Sequence, residues 1–487
     1  MEAVPARPGS RITPRRVLPW AIALATGLEY FDATVFIFYI GQMAAGVHAT
    51  PAELIGSASA YAVASVLGIL SQQWWVERVG FRRYITACLL LFAAAAVAAA
   101  FATGPIELAL LRGVQGYGMG PMMGVCRILL QVDFTPQDRP QATRIFLLMI
   151  LVASALAPLL GGDLIAAFGW RSLFVFCALA ALALAVLIWR TVPHTGHLEP
   201  EARSHAPIWP YIVFALSQGA LQVAMQQAQS EHPSRSPGFW LLVALAGVLS
   251  LAWFAHHQWH HPRPLVRLQA LREQTFRTGL ALYVLFYFMS NVLGYLSVRL
   301  LEGGLGHSVQ GAGRLLGLTA LASLPMALVY FRYSARITRR RWLIVSGFAL
   351  AAVIGLWMAQ LPPDAGPALL VPPMVLRGLL LIFIALPAAN IAFRVFEADE
   401  FHHGYRFKNI VRQLTYSFAT TCIVSLEQHR FAAHSAQLRA AAAAAGHAPG
   451  PLLAQQASFL SLVDGFYLLI GIAVLGGLYA AWQKRID

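Results

Sequence analysis

The chain has 487 residues, of which 58% are apolar and only 11% charged, where a soluble domain carries about 25% charged residues. So little charge cannot cover a soluble surface, and the composition excludes a soluble globular protein, a disordered chain and, despite a net charge of +14, a nucleic-acid-binding domain. At about 20 mostly apolar residues per transmembrane helix the apolar content sets a ceiling of about fourteen spans, and the long unbroken apolar runs exclude a β-barrel, whose strands alternate apolar and polar.

In chain order, apolar helices are predicted over 17–46, 53–76, 84–104, 106–131, 141–168 and 171–191. The N-terminus is Arg-rich, but the run from Val17 is too long for a signal peptide and no leader is expected. The first span holds Glu29 and Asp32, whose i, i+3 spacing puts both on one helix face. Ionisable groups inside a membrane are costly and mark pathways. Like charge and burial favour the protonated form of a carboxyl, which suits a group that takes up and releases a proton. The competing reading is a pair neutralised by Arg from another span.

The fourth span carries Arg112, Gln115, Met119, Met122 and Cys126 along one face, among several glycines. Arg112 needs a partner, and Glu29 or Asp32 is the natural candidate. The fifth span contains Pro158, expected to kink it, with Gly161 and Gly162 allowing close helix approach. Asp163 sits near its outer end.

A helix pair is predicted next, over 207–229 and 238–258, the first member carrying Gln218, Gln222, Gln226 and Gln227. His256, His257, His260 and His261 follow at its end. Their i, i+4 spacing could ligate a metal, but no carboxylate or Cys accompanies them, so no metal and no cofactor is expected. The last series covers 274–301, 311–333, 341–361, 367–394, 406–427 and 456–482. Within it Tyr287, Asn291, Arg377, Arg412 and Tyr416 are intramembrane and candidate cavity residues, together with Gln115 and Met119. The aromatics of 274–301 either line a pocket or pack. The long connection 428–456, with its Ala440–Ala445 run, is either a helical outer element or a disordered loop. Cys88, Cys126, Cys177 and Cys422 sit inside apolar runs, with no ligand spacing.

The positive-inside rule tests this count. With a cytoplasmic N-terminus, 25 of the 35 basic residues fall on cytoplasmic connections, 5 on the opposite side and 5 within spans. The split supports fourteen spans with both termini inside and makes the positive charge a collar beside anionic headgroups. The chain thus divides into an N-terminal six-helix bundle (17–191), an inserted helix pair (207–258) and a C-terminal six-helix bundle (274–482), an all-α integral membrane protein. Two repeated halves around a central site suit a secondary transporter. No P-loop is present, so transport would be ion-coupled or passive.

Several motifs then align. Leu28-Glu29-Tyr30-Phe31-Asp32-Ala33-Thr34, the stretch Glu77-Arg78-Val79-Gly80-Phe81-Arg82-Arg83, Arg112-Gly113-Val114-Gln115-Gly116, Ala157-Pro158-Leu159-Leu160-Gly161-Gly162, Gly169-Trp170-Arg171 and Arg412-Gln413-Leu414 resemble, in this order, the major facilitator superfamily and within it the fourteen-spanner drug/proton antiporters of the EmrB/QacA type. The chain departs from the pattern at Gln73, Glu77 and Phe81, at Ala153 and Ala157, and at Thr415 and Tyr416. The resemblance implies the major facilitator fold and no enzyme activity. It implies export of small amphiphilic compounds against protons by alternating access. Asp32 and Arg112 would form the proton relay with Glu29 as helper, and Glu77, Arg78, Gly80, Pro158, Gly161 and Gly162 would be conformational motifs. It also implies a bacterial inner-membrane location and permits a periplasmic adaptor and an outer-membrane channel as partners. The surplus of cavity arginines adds anionic or zwitterionic amphiphiles to the substrates to consider. A narrow-specificity exporter of one metabolite, such as a siderophore or fatty acid, is the alternative, and a membrane-embedded metal protein or enzyme a remote one.

Overall fold

The computed structural model describes residues 13–199, 208–228, 235–261, 264, 267–333, 336–337, 339–393, 396, 398–444 and 452–483. Helices dominate, and no strand occurs among the described residues. Eleven stretches among them are long and apolar enough to cross a membrane. The protein is a multi-pass membrane protein.

Helix α1 (Thr13–Phe38) passes through a one-residue break into α2 (Ile40–Gly46). Helix α3 (Pro51–Ala100) starts on a capping box, with Thr50 Oγ1 accepting from Glu53 N and the Glu53 carboxylate accepting from Thr50 N. It breaks at Gly80, whose φ of +80° belongs to the region only glycine enters cheaply. The legs 51–79 and 81–100 are each long enough to span. The polar link after α7 lies on this bend: Phe81 N donates to Thr195 O (2.9 Å) and Leu198 N to Glu77 O (2.7 Å).

Helices α4 (Pro105–Met119) and α5 (Met122–Asp133) are separated at Gly120-Pro121, so the predicted fourth span is two pieces. Helix α6 (Arg139–Phe168) keeps Pro158 inside, and α7 (Arg171–Thr191) closes the first series. The inserted pair is α8 (Ile208–Ala228) and α9 (Pro237–His260). Phe214 of α8 packs with Val66, Ile69 and Leu70 of α3, and Ser59 Oγ donates to Gln222 Oε1 (3.0 Å). Part of the predicted glutamine stripe thus faces protein. Helix α9 turns Leu241, Leu242 and Leu245 outward.

Helix α10 (Gln274–Arg299) runs into a π-helical turn, Leu300–Gly304. Helices α11 (Val309–Leu321) and α12 (Leu324–Tyr333) follow, then α13 (Arg340–Ala359), α14 (Pro367–Arg377), a π-helical turn at Leu381–Ala385 and α15 (Leu386–Ala392). Prolines 372, 373 and 387 deprive this last stretch of N–H donors and explain its segmentation. Helix α16 (Ala398–Ala444) has 47 residues, about 70 Å at the usual rise. It extends well past the predicted end at 427, so the 428–456 connection is helical through Ala444. Helix α17 (Leu452–Trp482) ends the described chain.

The structure corrects the basic collar in one respect. Arg406 and Lys408, assigned to it from the sequence, are buried in the protein. Expectations placed on 1–12, 200–207, 229–234 and 484–487, on Arg263 and Arg394, and on the side chains of Gln226 and His402 lie outside the described residues.

Candidate functional site

Two buried ion pairs organise the centre. In the first, Arg112 of α4 reaches Asp32 of α1, with Nη1 at 2.8 Å from Oδ1 and 2.9 Å from Oδ2. The same Nη1 donates to Gln115 Oε1 (2.8 Å), one helical turn along α4. The guanidinium lies between the rings of Phe36 (4.4 Å) and Tyr61 (4.3 Å). A buried arginine needs its charge met and its plane flanked, and this cradle does both. Of the two partners foreseen for Arg112, the structure selects Asp32.

In the second, Glu29 of α1 contacts Arg412 of α16. Met123 N donates to Glu29 Oε2 (2.9 Å). Met123 stands in the first turn of α5, where N–H groups lack helical partners and favour an anion. The break at Gly120-Pro121 therefore creates the donor that Glu29 uses. Gln413 Nε2 lies 3.5 Å from Glu29 Oε1. Glu29 and Asp32 do not share one proton-binding locus as a like-charge pair. Each has its own arginine from another helix, the competing arrangement weighed for the sequence.

A cavity of about 220 Å³ adjoins both pairs. Tyr287, Asn291, Arg377, Arg412 and Tyr416 line it, as do Glu29 and Arg112. Tyr287 and Asn291 share one face of α10, and Arg412 and Tyr416 one face of α16, at i, i+4. Tyr287 meets Tyr416 edge-on at 5.4 Å and stacks on Tyr283 at 5.5 Å. Gln115 and Met119 do not line this wall: Gln115 serves Arg112, and Met119 is buried in the apolar core. The aromatic stripe of 274–301 divides. Phe286 and Tyr287 face the cavity, Phe276 packs with Phe396 (4.9 Å), and Phe288 meets Phe418 (6.0 Å).

Helices of the α1–α7 series also touch helices of the α10–α17 series beyond the cavity, at both ends. At one end Arg406 Nη2 of α16 donates to Gln73 Oε1 of α3 (2.5 Å), and Gln73 Nε2 donates to Glu77 Oε1 (2.6 Å). Arg78 donates to Trp74 O (3.0 Å), its guanidinium 3.8 Å over the Trp74 ring. At the other end Tyr39 Oη donates to Pro158 O (2.5 Å), and Gly161 faces the Tyr39 ring. Asp163 Oδ1 accepts from Gln310 Nε2 (2.8 Å) and Arg314 Nε (3.0 Å) of α11, while Gln42 Nε2 donates to Glu302 Oε2 (2.7 Å). A Cβ on Gly313 would lie 2.4 Å from Pro158 O, and one on Gly162 3.0 Å from Val309 O. The small residues of α6 and α11 thus let these two helices cross in near-backbone contact.

Three residues escaped the sequence reading as site residues: Phe36 and Tyr61, which flank Arg112, and Lys408. Lys408 Nζ sits 4.4 Å from the Tyr405 ring, 5.3 Å from the Tyr283 ring and 3.9 Å from Met123 Sδ. Its place one helical turn before Arg412 was the available signal. At the far end of α9, the His256 and His260 rings lie 4.4 Å apart, and His257 stacks on His261. No group of three or more His, Cys, Asp or Glu placed to hold a metal occurs among the described residues.

Comparison with known proteins gives three levels of likeness. The family model of the Major Facilitator Superfamily matches residues 22–420. The chain is 21% identical over 421 residues to a probable multidrug resistance protein, EmrY, of Escherichia coli K12, covering 86% of this chain and 81% of that protein. It is 23% identical over 428 residues to the multidrug export protein EmrB of Haemophilus influenzae, covering 87% and 82%. Its fold is similar to a crystal structure of a bacterial homologue of the human lysosomal transporter Spinster in an inward-facing, occupied conformation, at a TM-score of 0.69 and 15% identity over 98% of both chains.

Proposed function

The chain belongs to the major facilitator superfamily, and on that premise we propose that this membrane transporter is a proton-coupled antiporter exporting small amphiphilic compounds by alternating access. Its homology to multidrug export proteins supports the substrate class and direction. The observation that carries the coupling is the pair of buried carboxylates, Asp32 and Glu29, each on a separate arginine beside one cavity.

Protonating Asp32 removes the charge that Arg112 answers. Protonating Glu29 removes the charge that Arg412 answers, and that bond joins the two halves. A buried pair left with one partner costs about 3–5 kcal/mol. Moving a two-state carrier from 1:99 to 99:1 takes about 5.5 kcal/mol. One proton on either carboxylate is therefore commensurate with switching which end of the cavity opens. Substrate and proton then compete for conformations rather than for one atom.

The fourteen-span arrangement belongs to this reading. It counts both legs of α3, the α4–α5 pair as one span, and α16. The same arrangement makes 17–191 and 274–482 the moving bundles and 207–258 the inserted pair, with the Gln73–Arg406 end cytoplasmic in a bacterial inner membrane. A periplasmic adaptor and outer-membrane channel join the proposal through the multidrug-exporter resemblance.

The test is flux in proteoliposomes with and without an imposed proton gradient, for wild type and Asp32→Asn. Proton-driven accumulation in wild type and its loss in the variant, with substrate binding kept, is the expected result. Equal flux without a gradient, or an unchanged variant, sinks the coupling assignment.

A further inference from the structure

Four side chains of Asp, Glu, Lys, Arg or His type line the cavity: Glu29, Arg112, Arg377 and Arg412. Arg112 is paired with Asp32, and Arg412 with Glu29. Arg377, the last residue of α14, has no ion pair among the described residues, and its buried Nη1 has no hydrogen-bond partner. The Phe38 ring stands 5.6 Å from its guanidinium. A half-buried cation with a buried, unanswered nitrogen calls for an explanation by a ligand or ion.

Asn291 and Ser417, which also line the cavity, each leave a buried donor unanswered too. Asn291 Oδ1 of α10 accepts from the Thr420 hydroxyl (3.2 Å), which orients the amide and leaves its buried Nδ2 without a partner. Ser417 Oγ of α16 is likewise buried and unpartnered. The three stand on α14, α10 and α16. The lining leaves donors unanswered and no carboxylate or amide oxygen. The complement to such a wall is an acceptor carrying negative charge. Ile37, Phe38, Phe286, Leu293 and Leu380 make much of the remainder apolar.

We propose that this cavity takes an organic monoanion, with its acid group on Arg377, Asn291 and Ser417 and its apolar body along the aromatic and aliphatic wall. The inference rests on reading the cavity as the transport site, and it narrows the cargo from amphiphiles in general to amphiphilic acids.

Two probes with one tail and opposite heads test it: octanoate and octyltrimethylammonium, measured for saturable binding to the full chain in lipid nanodiscs. Wild type should bind octanoate more tightly than the cation. Arg377→Gln should weaken octanoate at least tenfold, Arg377→Lys less, and neither should weaken the cation. Saturable binding of the cation alone, or octanoate binding unchanged in Arg377→Gln, overturns the proposal. Should Arg377→Gln not yield monodisperse protein, the double variant Asn291→Ala/Ser417→Ala carries the test: a several-fold loss for octanoate supports the site, and no loss overturns it. Flux separates this inference from the one it rests on. Proton-driven movement of the cation without octanoate binding leaves coupled transport standing and removes the anion site. Arg377-dependent octanoate binding with no proton-driven flux of either probe does the reverse.

Discussion

Glu29 and Arg412 stand 383 positions apart in the chain and meet as a buried ion pair between the first helix and the long helix α16. Removing either partner strands the other's charge, at about 3–5 kcal/mol, whereas removing both replaces two charges by two amides. Glu29→Gln and Arg412→Gln should each lower the melting temperature in detergent. The double variant should be more stable than the sum of the single losses predicts. A double-mutant cycle on thermal unfolding reads this directly, and simple additivity would show that the pair carries no coupling energy.

Arg112 is held differently, and that difference predicts a chemistry-specific failure. One nitrogen serves both oxygens of Asp32 and also Gln115, while the flat guanidinium is flanked by Phe36 and Tyr61. Lysine keeps the charge but has no plane to be flanked and no fixed fork of donors. Arg112→Lys should therefore express and bind substrate while proton-driven flux falls at least tenfold. Flux within twofold of wild type would mean that charge alone suffices.

Much of this fold can be read in the sequence, for one physical reason. In a bilayer every span must be apolar and helical, so length and hydropathy mark the elements, and the helix edges at Arg171 and Pro367 follow. The intramembrane acids and arginines could be found the same way, because each is costly and so has to be there for a purpose. What the sequence does not carry is partnership. Arg112 had two candidate acids on one helix face. Lys408 looked like one more collar charge, although it lies one turn from Arg412. Gln115 and Met119 share the face of Arg112, but tertiary packing directs them to the arginine and the core. The continuation of α16 past 427 was balanced between helix and disorder, because alanine favours helix wherever the chain is not otherwise held.

The bend at Gly80 is a stability prediction. Its φ of +80° is costly for any residue with a Cβ, and that Cβ would sit 3.0 Å from Thr195 O. With ψ at 162° this is a region essentially reserved for glycine, costing another residue of order 1–3 kcal/mol, and the contact adds to it by pushing on the 192–199 link. Gly80→Ala should lower the melting temperature and leave substrate affinity in the folded fraction unchanged. A variant as stable as wild type would show that the bend relaxes without cost.

The contacts at the two ends of the cavity predict opposite biases from two small substitutions. At the α6–α11 crossing, a Cβ on Gly313 would lie 2.4 Å from Pro158 O and 2.5 Å from Tyr39 Oη, distances that force the helices apart. Gly313→Ala should therefore weaken closure at that end, the external one in the proposed topology. At the other end Arg406 of α16 reaches Gln73 of α3, and Arg406→Gln shortens that arm. That change should weaken cytoplasmic closure. Spin labels placed in pairs across each end, with distances read by double electron–electron resonance, give the populations. Gly313→Ala should lengthen the external distance and shorten or leave the cytoplasmic one, and Arg406→Gln the converse. If both substitutions widen the same end, the two contacts are not opposed gates. The switching energy must then reside elsewhere, with the Glu29–Arg412 pair the first place to look.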